Sequence, residues 1–207
     1  MTECYGGSQP RVDRTTNEDA FVIGRDPVPY AAVCDGAGNA QQAAHHVVRF
    51  FERLIKDPQA QVADPATWMS WVRLMDSQRL GGTQSTFVGV AVPDEKARLV
   101  VGAYAGNSRA YIVGENGVRL LTAESSPSRL GSGQVKPCPI MLTLGPYDIL
   151  LLMSDGAWTP LGSTYKLQKA VAKAAMHHFS EVPQAILDAA ARTGRYDDMT
   201  AVALRIR

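Results

Sequence analysis

The reading of the fold turns on residues 83–122, where four apolar segments follow one another with short breaks. They are TQSTFVGVAV at 83–92, RLVVGAYA at 98–105, SRAYIV at 108–113 and VRLLT at 118–122. Each is short and rich in β-branched or aromatic residues, which suit a pleated and half-buried surface. Pro93-Asp94-Glu95-Lys96 and Glu115-Asn116-Gly117 fall where hairpin turns belong, and Asn-Gly readily adopts the backbone angles of a tight turn. These segments are predicted as antiparallel strands.

Upstream, Ala20–Gly24 and Tyr30–Cys34 are two more apolar runs, separated by the turn-rich Arg25-Asp26-Pro27-Val28-Pro29. From Gln41 to Lys56 the period changes. Ala44, Val47, Val48, Phe51, Leu54 and Ile55 share one face of a helix. Asp64-Pro65 reads as an N-cap followed by proline at the first helical position, opening a second helix to about Gln78. Downstream, residues 125–139 are polar and rich in Ser, Pro and Gly, and are predicted as a surface loop. A buried strand over Asp148–Met153 delivers Ser154-Asp155-Gly156. Helices over Tyr165–Phe179 and Val182–Thr193 and a strand over Met199–Ile206 complete the chain.

Strands gathered in the middle, with a helix pair on either side, predict an antiparallel α+β architecture in one domain over residues 1–207. Strict alternation of strand and helix would instead give a parallel sheet. Two sheets packed face to face with the helices outside is the economical arrangement. The 207 residues suffice for one such core, and 45% hydrophobic with 20% charged residues is the balance of an ordinary globular domain. A formal net charge of +1 provides no global field for nucleic acid or anionic membranes. No apolar run approaches a membrane span, and Met1–Gly7 has neither the basic start nor the apolar stretch of a signal peptide. Cys4, Cys34 and Cys138 are odd in number and far apart, which argues against a disulfide framework and for a reducing compartment; the expected location is the cytoplasm.

The residues with chemical potential are acidic and stand where strands meet turns. They are Glu18 and Asp19 before Ala20, Asp35 in Cys34-Asp35-Gly36, Asp155 in Ser154-Asp155-Gly156, and Asp197-Asp198 before Met199. Hard cations such as Mg²⁺ and Mn²⁺ take oxygen ligands in octahedral geometry and keep several waters. A carboxylate shared between two of them would hold the pair about 3.5–4 Å apart, as in two-metal hydrolysis. Asp-Gly alone is a common turn dipeptide, and only the joint pattern is informative.

That pattern resembles a known family. Arg14 with Asn17-Glu18-Asp19-Ala20, Asp35-Gly36 with Gly38, Gly81-Gly82-Thr83, Gly106-Asn107-Ser108-Arg109-Ala110-Tyr111, Ser154-Asp155-Gly156 and Asp197-Asp198-Met199-Thr200 are similar, in order, to the motifs of the PPM/PP2C protein phosphatases. The motifs span nearly the whole chain, and together they are highly specific. The resemblance implies a four-layer αββα sandwich with a binuclear Mn²⁺ or Mg²⁺ centre, two cations per chain, in a cleft at one end of the sheets. Asp35 would bridge the cations and the Gly36 carbonyl would bind the first. Asp155 and Asp197 would bind the second, and Glu18 would contact metal-bound water. Arg14 matches the family's phosphate-binding arginine, while Asp19, Asn107 and Asp198 would stand behind the ligands and support them. The implied reaction is hydrolysis of phosphoserine or phosphothreonine in proteins by a metal-activated hydroxide. It would oppose a serine/threonine kinase in signal transduction, with no nucleic-acid or membrane partner.

The sequence also departs from the pattern. Ala37 stands where some eukaryotic relatives carry a histidine able to protonate the leaving group. Asn107 replaces the aspartate that many bacterial relatives have, and a neutral amide is a poorer ligand for a hard cation, so a third metal site is not expected. The span from Asp35 to Asp155 is short for the family, the missing length falling in 125–139, where relatives carry a flap. That compactness is similar to the short bacterial phosphatases of sigma-factor and stress-signalling pathways. The alternative is a non-catalytic module that keeps the fold and binds a signalling partner. Cys34, His45-His46, His177-His178, Trp68 and Trp71 are read as structural or surface residues, and Trp158 as packing near the cleft. Gly81-Gly82 lacks the Gly-Lys-Ser/Thr of a phosphate-binding loop.

Overall fold

The computed structural model describes residues 1–37, 41–78, 80–122, 128–194 and 196–207. The elements run β1 (Thr2–Gln9), β2 (Asp19–Gly24), β3 (Tyr30–Ala37), α1 (Gln41–Ile55), α2 (Pro65–Asp76), β4 (Gln84–Ser85), β5 (Phe87–Asp94) and β6 (Leu99–Ala105). They continue with β7 (Arg109–Gly114), β8 (Gly117–Leu120), β9 (Cys138–Thr143), β10 (Ile149–Met153), α3 (Asp155–Trp158), α4 (Thr164–His177), α5 (Val182–Ala191) and β11 (Met199–Ile206). One antiparallel sheet has the order β1-β11-β10-β7-β8. The other is β2-β3-β5-β6-β9, with the short β4 paired to β3.

Side-chain alternation along the strands sorts the apolar residues into three layers. Ala31 and Val33 of β3, Val88 and Val90 of β5, Leu150 and Leu152 of β10, and Val202 and Leu204 of β11 fill the space between the sheets. The opposite faces turn to the helices. Tyr30, Ala32 and Cys34 pack with Val47, Phe51 and Ile55 of α1 and with Trp68 and Val72 of α2. Leu151, Met153, Ala201 and Ala203 pack with Leu167 and Val171 of α4 and Ile186 and Leu187 of α5. Burial on both faces explains why β10 reads as an unbroken apolar run. The result is the αββα sandwich expected from the sequence. The α2 cap is the expected one too: the Asp64 side chain accepts from the Ala66 N–H and Pro65 follows it.

Four local readings change. Thr2–Gln9 forms an edge strand although it is polar and holds two glycines; its eight residues pair with β11 from Thr2↔Ile206 to Gln9↔Met199. Cys138–Thr143 is a strand beside β6 instead of the end of a loop. The predicted strand over 83–92 breaks at Thr86 into β4 and β5. Within 128–137 the chain is irregular as expected, but Leu130 is fully buried and bridges Ser85, so this stretch is not simply a surface loop. Residues 125–127 of that loop, and Gly38, lie outside the described residues.

Candidate active site at one end of the sandwich

The same alternation that builds the core places the carboxylates. On β3 the residues facing between the sheets are Ala31 and Val33, so Asp35 is next on that side, and Cys34 faces the helices. Asp19 pairs with Asp35 in the β2–β3 ladder and therefore shares its face. From the opposite sheet, Ser154 follows Leu150 and Leu152, while Asp198 and Thr200 precede Val202 in the same alternation. Both sheets thus run out of apolar residues at one end, and polar groups take over.

Hydrogen bonds tie these groups across the layers. The Ser154 hydroxyl donates to the Asp19 carboxylate at 2.7 Å and accepts from the Thr200 N–H at 2.9 Å. Thr86 takes an N–H from Asp35 on its hydroxyl at 2.9 Å, and the Ser108 hydroxyl lies 2.6 Å from it. Asp198 is buried and accepts the backbone N–H groups of Arg11 and Glu18, both at 2.6 Å. It thereby pins both ends of the loop that carries Arg14. The Arg14 guanidinium pairs with Glu18 at 2.9 Å, and the Gly36 N–H donates to the Glu18 carbonyl at 3.1 Å.

Asp155 opens α3, and Gly156 must follow it. A Cβ at 156 would lie 2.0 Å from the Asp198 carbonyl oxygen, a backbone atom that cannot move aside. The Asn107 amide donates to Asp155 at 2.7 Å and its oxygen accepts from Arg129 at 3.3 Å. Trp158 donates from Nε1 to the Asn107 carbonyl at 3.2 Å, with the Arg109 guanidinium 3.4 Å over its ring. Asn107 is therefore engaged on both sides of its amide.

Burial, and after it the crowding of like charges, perturbs the acids. Burial pushes the Asp35 carboxyl up to about 7; the charges of Asp155, Asp197 and Asp198 add to this and Arg129 opposes it. Asp19 is pushed well above the usual carboxylate range by burial and then by Asp35, although Ser154 and Thr200 hydrogen bonds favour its charged form. Asp197 is raised by burial and then by Asp155. Thus the charges of Asp155, Asp197 and Asp198 all bear on Asp35, while Glu18 is held beside Arg14. Among the described residues, no group of three or more His, Cys, Asp or Glu side chains is placed, as it stands, to hold a metal ion. The donor set nonetheless fits Mn²⁺ or Mg²⁺. These are oxygen ligands with surplus negative charge, and such ions bind through one or two carboxylates while keeping water.

Other residues behave as read from the sequence. Cys34 is fully buried and burial raises its thiol strongly, so it is no nucleophile. His45, His46, His177 and His178 are exposed, and Trp68 and Trp71 are core. Three contributors carried no sequence signal: the Thr86 hydroxyl under Asp35, Arg129 beside Asn107, and Asp76, whose carboxylate accepts three backbone N–H groups near Arg129. A Thr in a strand or an Arg in a loop resembles any other until the fold brings it close.

This arrangement belongs to a known class of fold, that of the PP2C-type phosphatases. A bacterial serine phosphatase matches with a TM-score of 0.84 at 17% identity, over 100% of this chain and 98% of that one. The catalytic domain of the serine/threonine phosphatase PstP, in complex with two manganese ions, matches at 0.81 and 19% identity, over 98% and 97%. PppA, a regulatory component of the type VI secretion system in Pseudomonas aeruginosa, matches at 0.82 and 17%, over 100% and 98%. The family model for stage II sporulation protein E (SpoIIE) matches residues 30–207, and the chain belongs to that family. Arg14, Glu18 and Asp19 precede the matched residues. Comparison with curated protein sequences gives no match. Among the described residues, no helix is long and apolar enough to cross a membrane.

Proposed function

We propose that this chain is a metal-dependent protein phosphatase that hydrolyses phosphoserine or phosphothreonine and so opposes a serine/threonine kinase in the cytoplasm. The observation that carries this reading is that the charges of Asp155 and Asp197, just beyond β10 and just before β11, act on Asp35 at the end of β3, beside an arginine paired with Glu18. The two manganese ions of PstP support it.

In this reading Asp35, the Gly36 carbonyl, Asp155 and Asp197 would hold two Mn²⁺ or Mg²⁺, and Glu18 would act on them through water. The cations, when bound, supply a water acidic enough to act as a nucleophile near neutral pH. The chain supplies the rest. Arg14 turns its guanidinium fork to two phosphoryl oxygens, where charge builds as the ester bond breaks. Asp198 keeps that arginine in register, through Arg11 and Glu18. Asp19, hydrogen-bonded to Ser154 and register-paired with Asp35, keeps the two sheets aligned under the bridging carboxylate. Ala37 has no proton to give the leaving oxygen, and in this reading a water at the metal site would supply it.

The test is phosphate release from phosphoserine and phosphothreonine peptides. Release is expected with Mn²⁺ or Mg²⁺ and should be lost in excess chelator. Full turnover under chelation would overturn the two-metal reading, and absence of release with either cation would overturn the activity.

A further inference from the structure

Arg129 stands in this site without belonging to any of the motifs that describe it. It lies in the irregular stretch before β9, yet its guanidinium reaches the Asn107 amide oxygen at 3.3 Å. It is also the positive charge that counts against the four-aspartate cluster at Asp35. A guanidinium has five N–H donors, and the bond to Asn107 uses one of them near the long end of the normal range.

The placement is built in by two ties. The next residue, Leu130, is fully buried, and it exchanges backbone hydrogen bonds with Ser85 at 2.8 and 3.1 Å. Ser85 in turn pairs with Gly36, the residue after Asp35, so Arg129 is held two strands from the bridging carboxylate. Behind it, the buried Asp76 at the end of α2 accepts the N–H groups of Gly131, Gly133 and Val135 at 2.8, 3.1 and 3.0 Å. The Ser128 hydroxyl takes the Lys136 N–H at 3.0 Å and closes the loop. Such anchoring goes beyond what a solvated arginine needs. It fits a side chain that must meet a ligand at a fixed point.

We propose that Arg129 is a second phosphate-gripping residue, which contacts the phosphoryl group of the substrate in addition to Arg14. This rests on the phosphatase reading above. A phosphoryl dianion entering a cluster of aspartates meets repulsion, and a tethered guanidinium offsets it while offering paired donors. Asn107 then has a defined part. It orients Arg129 through its oxygen and Asp155 through its amide hydrogens, which a carboxylate could not do for both.

Calorimetric titration of inorganic phosphate into the Mg²⁺-loaded full chain tests this directly. Arg129→Ala should weaken phosphate binding by at least about tenfold, with Arg129→Lys intermediate because lysine keeps the charge and loses the fork. The Mn²⁺ concentration for half-activation should stay within about twofold of wild type. Unchanged phosphate binding in Arg129→Ala, or a large rise in the Mn²⁺ requirement with unchanged phosphate binding, would overturn the proposal and make Arg129 a brace for Asn107. If the alanine variant does not fold, Arg129→Gln carries the same comparison. A wild-type chain that binds no phosphate would also overturn it. One that binds phosphate but releases none from phosphopeptides would sink the phosphatase reading and leave the arginine assignment standing on the titration.

Discussion

Two loops bring an arginine to the acidic end of the sandwich, and each is held by a buried aspartate that accepts backbone N–H groups. The loop between β1 and β2 carries Arg14 and hangs on Asp198. The stretch before β9 carries Arg129 and hangs on Asp76. The pins differ in position. Asp198 adjoins Asp197 and adds its charge to the cluster that raises Asp35. Asp76 ends a helix on the outer layer and is not among the main charges acting on Asp35. One pin therefore shares its strand end with the chemistry, while the other only holds geometry. Removing each should separate those two jobs.

The site between the loops sets the upper scale. Asp155→Asn or Asp197→Asn removes a charged ligand of the proposed second cation and keeps the shape. Turnover should fall at least about a hundredfold, since the cations supply several kcal/mol of transition-state stabilisation. Circular dichroism should show the fold retained, because the change relieves repulsion. Near-normal turnover in Asp155→Asn would break the ligand assignment.

Next come the pins themselves. Asp198→Asn leaves one acceptor oxygen for two N–H donors, and hydrogen bonds to charged groups contribute about 1.5–3 kcal/mol. Turnover should drop about tenfold as Arg14 and Glu18 lose register. Asp76→Asn should leave turnover within about threefold and act mainly on phosphate affinity, through Arg129. Steady-state kinetics on both variants decide this, and equal losses of turnover would erase the distinction drawn between the loops.

Much of the first loop was legible in the sequence and little of the second. Glu18, Asp19, Asp35, Asp155, Asp197 and Asp198 each adjoin an apolar strand, so alternation alone puts several of them at a sheet end. Arg14 stands one helical-type spacing before Glu18. Arg129 and Asp76 are far apart in the chain and obey no shared period, and their relation exists only after α2 packs on the sheet carrying β6 and β9. The missed strands have similar causes. Thr2–Gln9 is polar and is a strand because β11 offers it a free edge, and Cys138–Thr143 is short, follows a proline-rich loop and alternates buried with exposed residues only partly.

A smaller effect concerns the charge that the pins contribute or spare. Burial and the neighbouring carboxylates push the Asp35 carboxyl up to about 7 in the fold without cations, against about 3.9 in an unfolded chain. The folded form thus holds the proton more tightly, and stability falls as pH rises through that window. Asp19 and Asp197 act in the same direction. In chelator, Asp35→Asn should raise the Tm by at least about 2 °C at pH 7.5, with the gain vanishing toward pH 4. Thermal melts across pH check it. A gain that grows toward acid pH would show that the carboxylate is stabilised by its surroundings and not strained by them.

The smallest change sharpens the comparison at Asn107, the residue that Arg129 of the second loop touches. Asn107→Asp keeps the size of the side chain but replaces the N–H donor that meets Asp155 at 2.7 Å with a second negative oxygen. Two carboxylates at that distance cannot both stay ionised without a proton or a cation between them. The variant should therefore acquire a weak additional cation site, filled only at high Mn²⁺, with turnover at saturating Mn²⁺ changed by less than about threefold. Anomalous difference maps from Mn²⁺-soaked crystals of both proteins read this directly. Two peaks are expected in the unmodified chain and a weak third in Asn107→Asp. A strong third peak beside Asn107 in the unmodified chain would mean that an amide suffices as a ligand there. Two peaks in both would mean that Arg129, still paired to residue 107 and now more strongly, already supplies the positive charge the new carboxylate demands.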